Sequence, residues 1–220
     1  TYHNTGGMIL RGPGQPTDAY PEADNTLLNF IGLKGEQMLP GYKNMRLWDE
    51  LYPVWGGGID WLYKMQGAMT FSNELFNNFN YFRRAPNQAD REARREEQRL
   101  FDKYLLFGEG YVPWQEVDHP QYGKVEVGGA KKTWGRQPPS FLLEEECHRN
   151  FAFTMYHAEQ LPQLEVQSVT ARSLPGGLTE VTSTVANRAA MPTHLAVDLL
   201  HRLSRPDWTT ITGGAGGPAV

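Results

Sequence analysis

A single cysteine, Cys147, stands in a chain of 220 residues, so no internal disulfide framework staples this protein. Basic residues are not in excess either. The 21 Lys and Arg face 25 Asp and Glu for a net charge of −4, which leaves no cationic field to gather nucleic acid phosphates. No apolar run approaches the roughly 20 residues that span a bilayer. The opening Thr1-Tyr2-His3-Asn4 has no initiator methionine, basic leader or apolar stretch, so it does not read as a signal peptide. What is present is globular: 40% hydrophobic and 12% aromatic residues, enough for about one full domain and part of another. The chain reads as starting inside a strand and ends in Gly-Gly-Ala-Gly-Gly-Pro-Ala-Val without a closing element. We therefore expect both ends to be cuts through a longer protein.

Punctuation organises the rest. Met8-Ile9-Leu10 is a short strand candidate, and Gly12, Pro13 and Gly14 open a polar loop running to about Asp24. Asp24 or Asn25 is expected to cap a helix carrying Leu27, Leu28, Ile31 and Leu33, which stops before Pro40. Leu47, Leu51 and the glycines at 56–58 suggest a loop crossing a cleft, followed by a helical turn at Trp61-Leu62-Tyr63 and a strand from Ala68 to Leu75. Pro86 begins a charged helix in which Glu92, Arg95, Glu96 and Arg99 pair along a wet face. A strand at Lys124–Val127 leads into a helix from Ser140 to His157, on which Glu144, Glu145 and Glu146 read as a solvated face with Cys147 turned inward. Beyond Pro162 the period changes to two: Leu164–Val169, Leu178–Val185 and a third run, Leu195–Leu200, read as the start of an antiparallel β-sandwich.

Chemistry concentrates in two places. Alternation puts Thr70, Ser72 and Glu74 on one face of a strand that ends in the Glu74 carboxylate near the carboxyl edge of a sheet, where ligands bind in open α/β folds. A carboxylate there suits a group that takes a proton from water and returns it to a leaving amine. The plainer reading is a strand-end glutamate meeting an arginine or a helix terminus. His3 lies in a second short extended run, and a lone histidine is most often an ordinary core or surface residue. A zinc site needs two further protein ligands beside a water.

These segments resemble the zinc metallocarboxypeptidases of the carboxypeptidase A type. In that family the third zinc ligand lies in a strand of the form I-H-S-Y-x-x-x-L-L-x-P-x-G, to which Tyr2-His3-Asn4-Thr5-Gly6-Gly7-Met8-Ile9-Leu10-Arg11-Gly12-Pro13-Gly14 is similar, with His3 on the histidine. The substrate-binding tyrosine followed by G-G-x-I-D-W-x-Y matches Tyr52, Gly56, Gly57, Ile59, Asp60, Trp61 and Tyr63, and F-T-F-E-L matches Phe71-Ser72-Asn73-Glu74-Leu75. The later segments resemble larger bacterial members in which a β-sandwich follows the peptidase domain. The resemblance implies an α/β fold: a carboxypeptidase-like mixed sheet flanked by helices over residues 1–161, incomplete at its amino end, then a truncated sandwich over 162–220.

By the same resemblance His3 is a zinc ligand and Glu74 the general base and acid. Tyr52 would close over the bound peptide, and Asn4 would touch substrate. Ile59 lies where the family sets side-chain preference, so with Leu47 and Leu51 it implies a taste for apolar or aromatic C-terminal residues, unless it only packs under the loop. The implied reaction is hydrolysis of the C-terminal peptide bond of a peptide or protein, in a secreted or periplasmic setting. An H-x-x-E motif with the first two zinc ligands, and the arginines that hold the terminal carboxylate, would lie upstream of Thr1. The chain alone is therefore expected to lack tight zinc binding and activity. Asn4 and Thr5 replace the Ser and Tyr usual after the histidine. Glu126 is a reserve candidate for the carboxylate, and Asp118, His119, Glu126, Cys147 and His148 form a weaker metal-type constellation. A non-catalytic relative that binds peptides or cell-wall fragments is the alternative class.

Overall fold

The computed structural model describes residues 1–76 and 91–211. The Pro86 start of the charged helix and the glycine-rich tail from Gly213 lie outside the described residues.

A mixed four-stranded sheet in the order β1-β4-β2-β3 forms the centre, from β1 (Tyr2–Asn4), β2 (Met8–Arg11), β3 (Lys43–Arg46) and β4 (Phe71–Leu75). β1 runs parallel to β4 with His3 beside Glu74, while β2 runs antiparallel to β4 and parallel to β3. Directly opposed residues share a face, so Met8 and Leu10 lie with Glu74 and Ser72, and Ile9 lies with Asn73. That alternation builds two cores. On the Ile9 face, α1 (Glu22–Met38) and α4 (Ser140–Glu159) bury Leu28, Ile31 and Phe153 against Ile9 and Phe71. On the Glu74 face, Met8 and Leu10 pack with Leu47 and with Ile59 of α2 (Gly58–Gln66).

Small residues set the spacing. A Cβ at Gly35 would lie 2.5 Å from the Ile9 side chain and 2.8 Å from Phe153, so glycine lets α1 approach the sheet. Gly67 ends α2 in the left-handed region at φ 60°, its N–H returning to Tyr63 at 3.0 Å. α1 begins at Glu22 without a side-chain cap. Asp24, the expected cap, is instead buried on the first turn and turned to another helix.

The mixed α/β class is as expected, with differences in detail. β3 and a π-helical turn at Leu47–Leu51 occupy a stretch that reads as loop. α3 (Arg91–Phe101) leads into a second π-turn, Asp102–Leu106, and then into β5 (Tyr111–His119) and β6 (Gly123–Ala130), an antiparallel hairpin longer than the expected single strand. On α4 the phase differs from expectation: Cys147 is exposed and Glu146 turns inward, because its carboxylate has buried hydrogen-bond partners that a thiol would not satisfy.

In place of a partial sandwich, the described residues hold one two-stranded ribbon, β7 (Leu164–Ser173) with β8 (Thr179–Asn187). Its register shifts between Val166 and Ser168, which collects Val166, Val169, Val181 and Val185 on one face. The third expected strand is helix α5 (Ala196–His201), since Asp24 accepts the N–H groups of Ala196 at 2.8 Å and Val197 at 3.0 Å and so caps it from α1. Met191, Leu195 and Val197 complete the core on the Ile9 face.

Candidate functional site

Two strands of three and five residues bring His3 and Glu74 together at their parallel carboxyl ends. His3 Nδ1 lies 3.2 Å from Glu74 Oε2. The imidazole is 71% exposed and the carboxylate 17%, so an accessible ring stands over a sheltered acid. Asn4, next along β1, is exposed and donates from Nδ2 to the Arg136 carbonyl at 3.2 Å, tying the site edge to the turn before α4.

Behind the pair lies a polar network on the opposite face of β4. Asn73 donates to Asn150 Oδ1 at 2.8 Å, and Asn150 Nδ2 donates to Tyr42 Oη at 3.1 Å and to the Glu146 carbonyl at 2.9 Å. The Tyr42 hydroxyl donates to Glu146, and the Phe76 N–H meets both groups at 3.0 Å. Burial, followed by the Glu146 charge, pushes the Tyr42 pKa well above that of an ordinary phenol, so it stays a donor. Thr5 Oγ1 and the Gly6 N–H both reach the Phe76 carbonyl, at 2.8 and 3.0 Å. Together these bonds hold residues 73–76, and with them Glu74, at a fixed height beside β1. Sequence reading missed Asn73, Tyr42, Glu146 and Asn150. An asparagine inside an otherwise buried strand pattern was the available signal.

Ile59, Leu47 and Leu51 do come together. Ile59 and Leu47 are buried with Met8 and Leu10, and Leu51 and Val54 cover them in part. This cluster shares the sheet face of Glu74. Asp60, next to Ile59, is buried and accepts the Gly14 N–H at 3.1 Å and the Tyr20 hydroxyl at 2.6 Å, which fixes the 12–14 turn under the loop. Desolvation first, then that bond to Asp60, raises the Tyr20 pKa.

Tyr52 is not brought to the pair. It leaves the π-turn at the Arg11 end of β2, opposite the Met8 end that faces Glu74. The loop then folds back, with Val54 N–H on the Gly14 carbonyl at 2.7 Å, and the Tyr52 ring is exposed.

Glu126 does not end its strand. It sits midway along β6, exposed, opposite Glu116. Asp118 and His119 stand on the neighbouring strand of the same hairpin, and His119 Nδ1 accepts the Gln121 N–H at 3.2 Å. Among the described residues no group of three or more His, Cys, Asp or Glu side chains is arranged to hold a metal. The His3–Glu74 pair thus brings together one imidazole and one carboxylate.

Residues 163–218, about a quarter of the chain, match the model of a family described as a domain of unknown function (DUF8731). No curated protein matches the chain. No solved structure matches it either.

Proposed function

We propose that this chain is the C-terminal part of a zinc metallocarboxypeptidase, with a peptide or protein C-terminus as substrate and a secreted or periplasmic location. The observation that carries the reading is the His3–Glu74 pair, 3.2 Å apart at adjoining strand ends. The pair fits one imidazole ligand with its partner acid, and the remaining two ligands would come from outside residues 1–220. Zinc would supply polarisation of the scissile carbonyl and a nucleophilic water at neutral pH. Glu74, sheltered and held from behind by the Asn73–Asn150 bond, takes up a proton at Oε2 and hands it to the leaving amine. Ile59, Leu47 and Leu51 favour an apolar or aromatic terminal side chain on the same sheet face. Asn4 lies at the rim for substrate contact, and Tyr52 reaches the site only after its loop moves.

A binder of peptides or cell-wall fragments is the second reading, favoured by the exposed rings of Tyr52, Trp55 and Trp61 along one loop and helix start. The upstream sequence separates the two: an H-x-x-E motif with a following arginine favours the enzyme. In a protein that carries those residues, Glu74→Gln is expected to lower kcat by about 10²-fold or more, with Glu126→Gln near the parent rate. Loss of turnover only in Glu126→Gln would refute the assignment. The 220-residue chain alone is expected to bind zinc weakly by calorimetry. Stoichiometric, tight zinc with peptide cleavage by this chain would overturn the fragment reading.

A further inference from the structure

Apart from the His3–Glu74 pair, α3, the π-turn after it and the base of the β5–β6 hairpin line a half-open cavity of about 620 Å³. That is the size of a small-molecule site. Its floor is apolar: Phe101 and Leu106 are the buried members of a separate core, and Trp134 packs against them. Its rim is cationic. Arg95, Arg99 and Lys131 line it against a single carboxylate, Asp102, whose Oδ1 already accepts the Gly110 N–H at 2.6 Å. Arg99 is paired with Glu96 at 2.6 Å, one turn away on α3. Arg95 and Lys131 make no ion pair, and the Tyr111 hydroxyl makes no hydrogen bond, among the described residues.

We infer that this cavity is a binding site for a small carboxylic acid with an aromatic or branched apolar body. A bare inorganic anion would leave the Phe101–Leu106–Trp134 floor wet, and a neutral apolar molecule would leave two cations without a counter-charge. A carboxylate satisfies both requirements, because a guanidinium presents parallel donors that match its two oxygens while the ammonium adds a point charge. Tyr111, which also lines the cavity, offers its hydroxyl as a third donor. None of these residues belongs to the proposed peptidase machinery, so the site stands independently of that reading.

The test is isothermal titration of the 220-residue chain with phenylbutyrate, its neutral amide and inorganic phosphate, with the Trp134 indole N–H followed by NMR and assigned through Trp134→Phe. The acid is expected to bind and to shift the Trp134 signal. The amide and the Arg95→Gln/Lys131→Gln double variant should each bind about tenfold more weakly or worse. Both substituted side chains are at the rim, so the melting temperature should hold. If the double variant does not fold, the contrast between acid and amide on the parent chain decides. Equal binding of acid and amide, no binding of the acid at millimolar concentration, or phosphate binding as well as the acid would each overturn the proposal.

Discussion

Asn150 uses both ends of its carboxamide to hold the carboxyl end of β4. Its oxygen takes the Asn73 amide at 2.8 Å, and its nitrogen serves the Tyr42 hydroxyl and the Glu146 carbonyl. Asn150→Leu should therefore cost about 2–4 kcal/mol, because it strands buried partners rather than merely deleting one bond. Urea unfolding monitored by circular dichroism would measure it, and a change below about 0.5 kcal/mol would show that water replaces the network. At this scale the sequence was half legible. Glu74 could be placed on its face by alternation alone, and the parallel pairing of β1 with β4 sets His3 beside it. Asn73 and Asn150 are 77 residues apart, and no local pattern announces such a bond. The inward turn of Glu146 was misread for a related reason. One position along a helix rotates a side chain by about 100°, and three consecutive glutamates carry no phase of their own.

The anchoring of α5 shows how an element can be misjudged. Leu195–Leu200 is a short apolar run, which alternation cannot separate from a helix turn. What decides the matter is Asp24, 172 residues earlier in sequence than the first N–H it caps. Its carboxylate also takes the Tyr63 hydroxyl. Asp24→Ala should destabilise the protein by about 2–4 kcal/mol and unravel α5 first, seen as early loss of amide protection at Leu199. A clamp that spans α5, from His194 before it to Ser204 after it, depends on pH. His194 Nδ1 lies 2.7 Å from Asp198 and 3.0 Å from Ser204 Oγ, and Nε2 is 3.3 Å from Asp207. The bond to Asp198 and the charge of Asp207 raise the His194 pKa above its ordinary 6.5, so that contribution is complete below 6.5 and fades as pH climbs through the raised value. The Ser204 and His194 bonds bring Asp198 from 3.8 to about 2, so its contribution is complete above 3.8 and fades as pH falls towards 2. Burial lowers the His157 pKa on α4, an opposite trend that weakens the global fold as pH drops below 6.5. Protection factors at Leu199 and Leu203 should therefore be highest near about pH 5 and lower at about pH 9 and pH 2.5. Equal protection at all three would dismiss the clamp.

For the whole molecule, packing runs across residue 162. Met191, Leu195 and Val197 lie in one core with Ile9, Leu28, Tyr63 and Phe153. Cutting the chain after Leu161 removes three buried apolar side chains, each worth about 1.5–3 kcal/mol, which approaches the whole stability of a domain of this size. A fragment of residues 1–161 is expected to melt without a cooperative transition. A sharp melt near that of the 220-residue chain would refute the shared core. The mixed α/β class was legible from strand-length runs between helical ones, while the division of the sheet into two faced cores emerged only from register. Register also has a kinetic corollary. Leu10 stands two residues along β2 from the Glu74 level, roughly 7 Å away. Leu51 and Val54 lie over that spot. Under the proposed peptidase reading a substrate side chain would have to displace Leu51 and Val54 to reach Ile59, so its capture would follow the opening frequency of that loop and saturate with concentration.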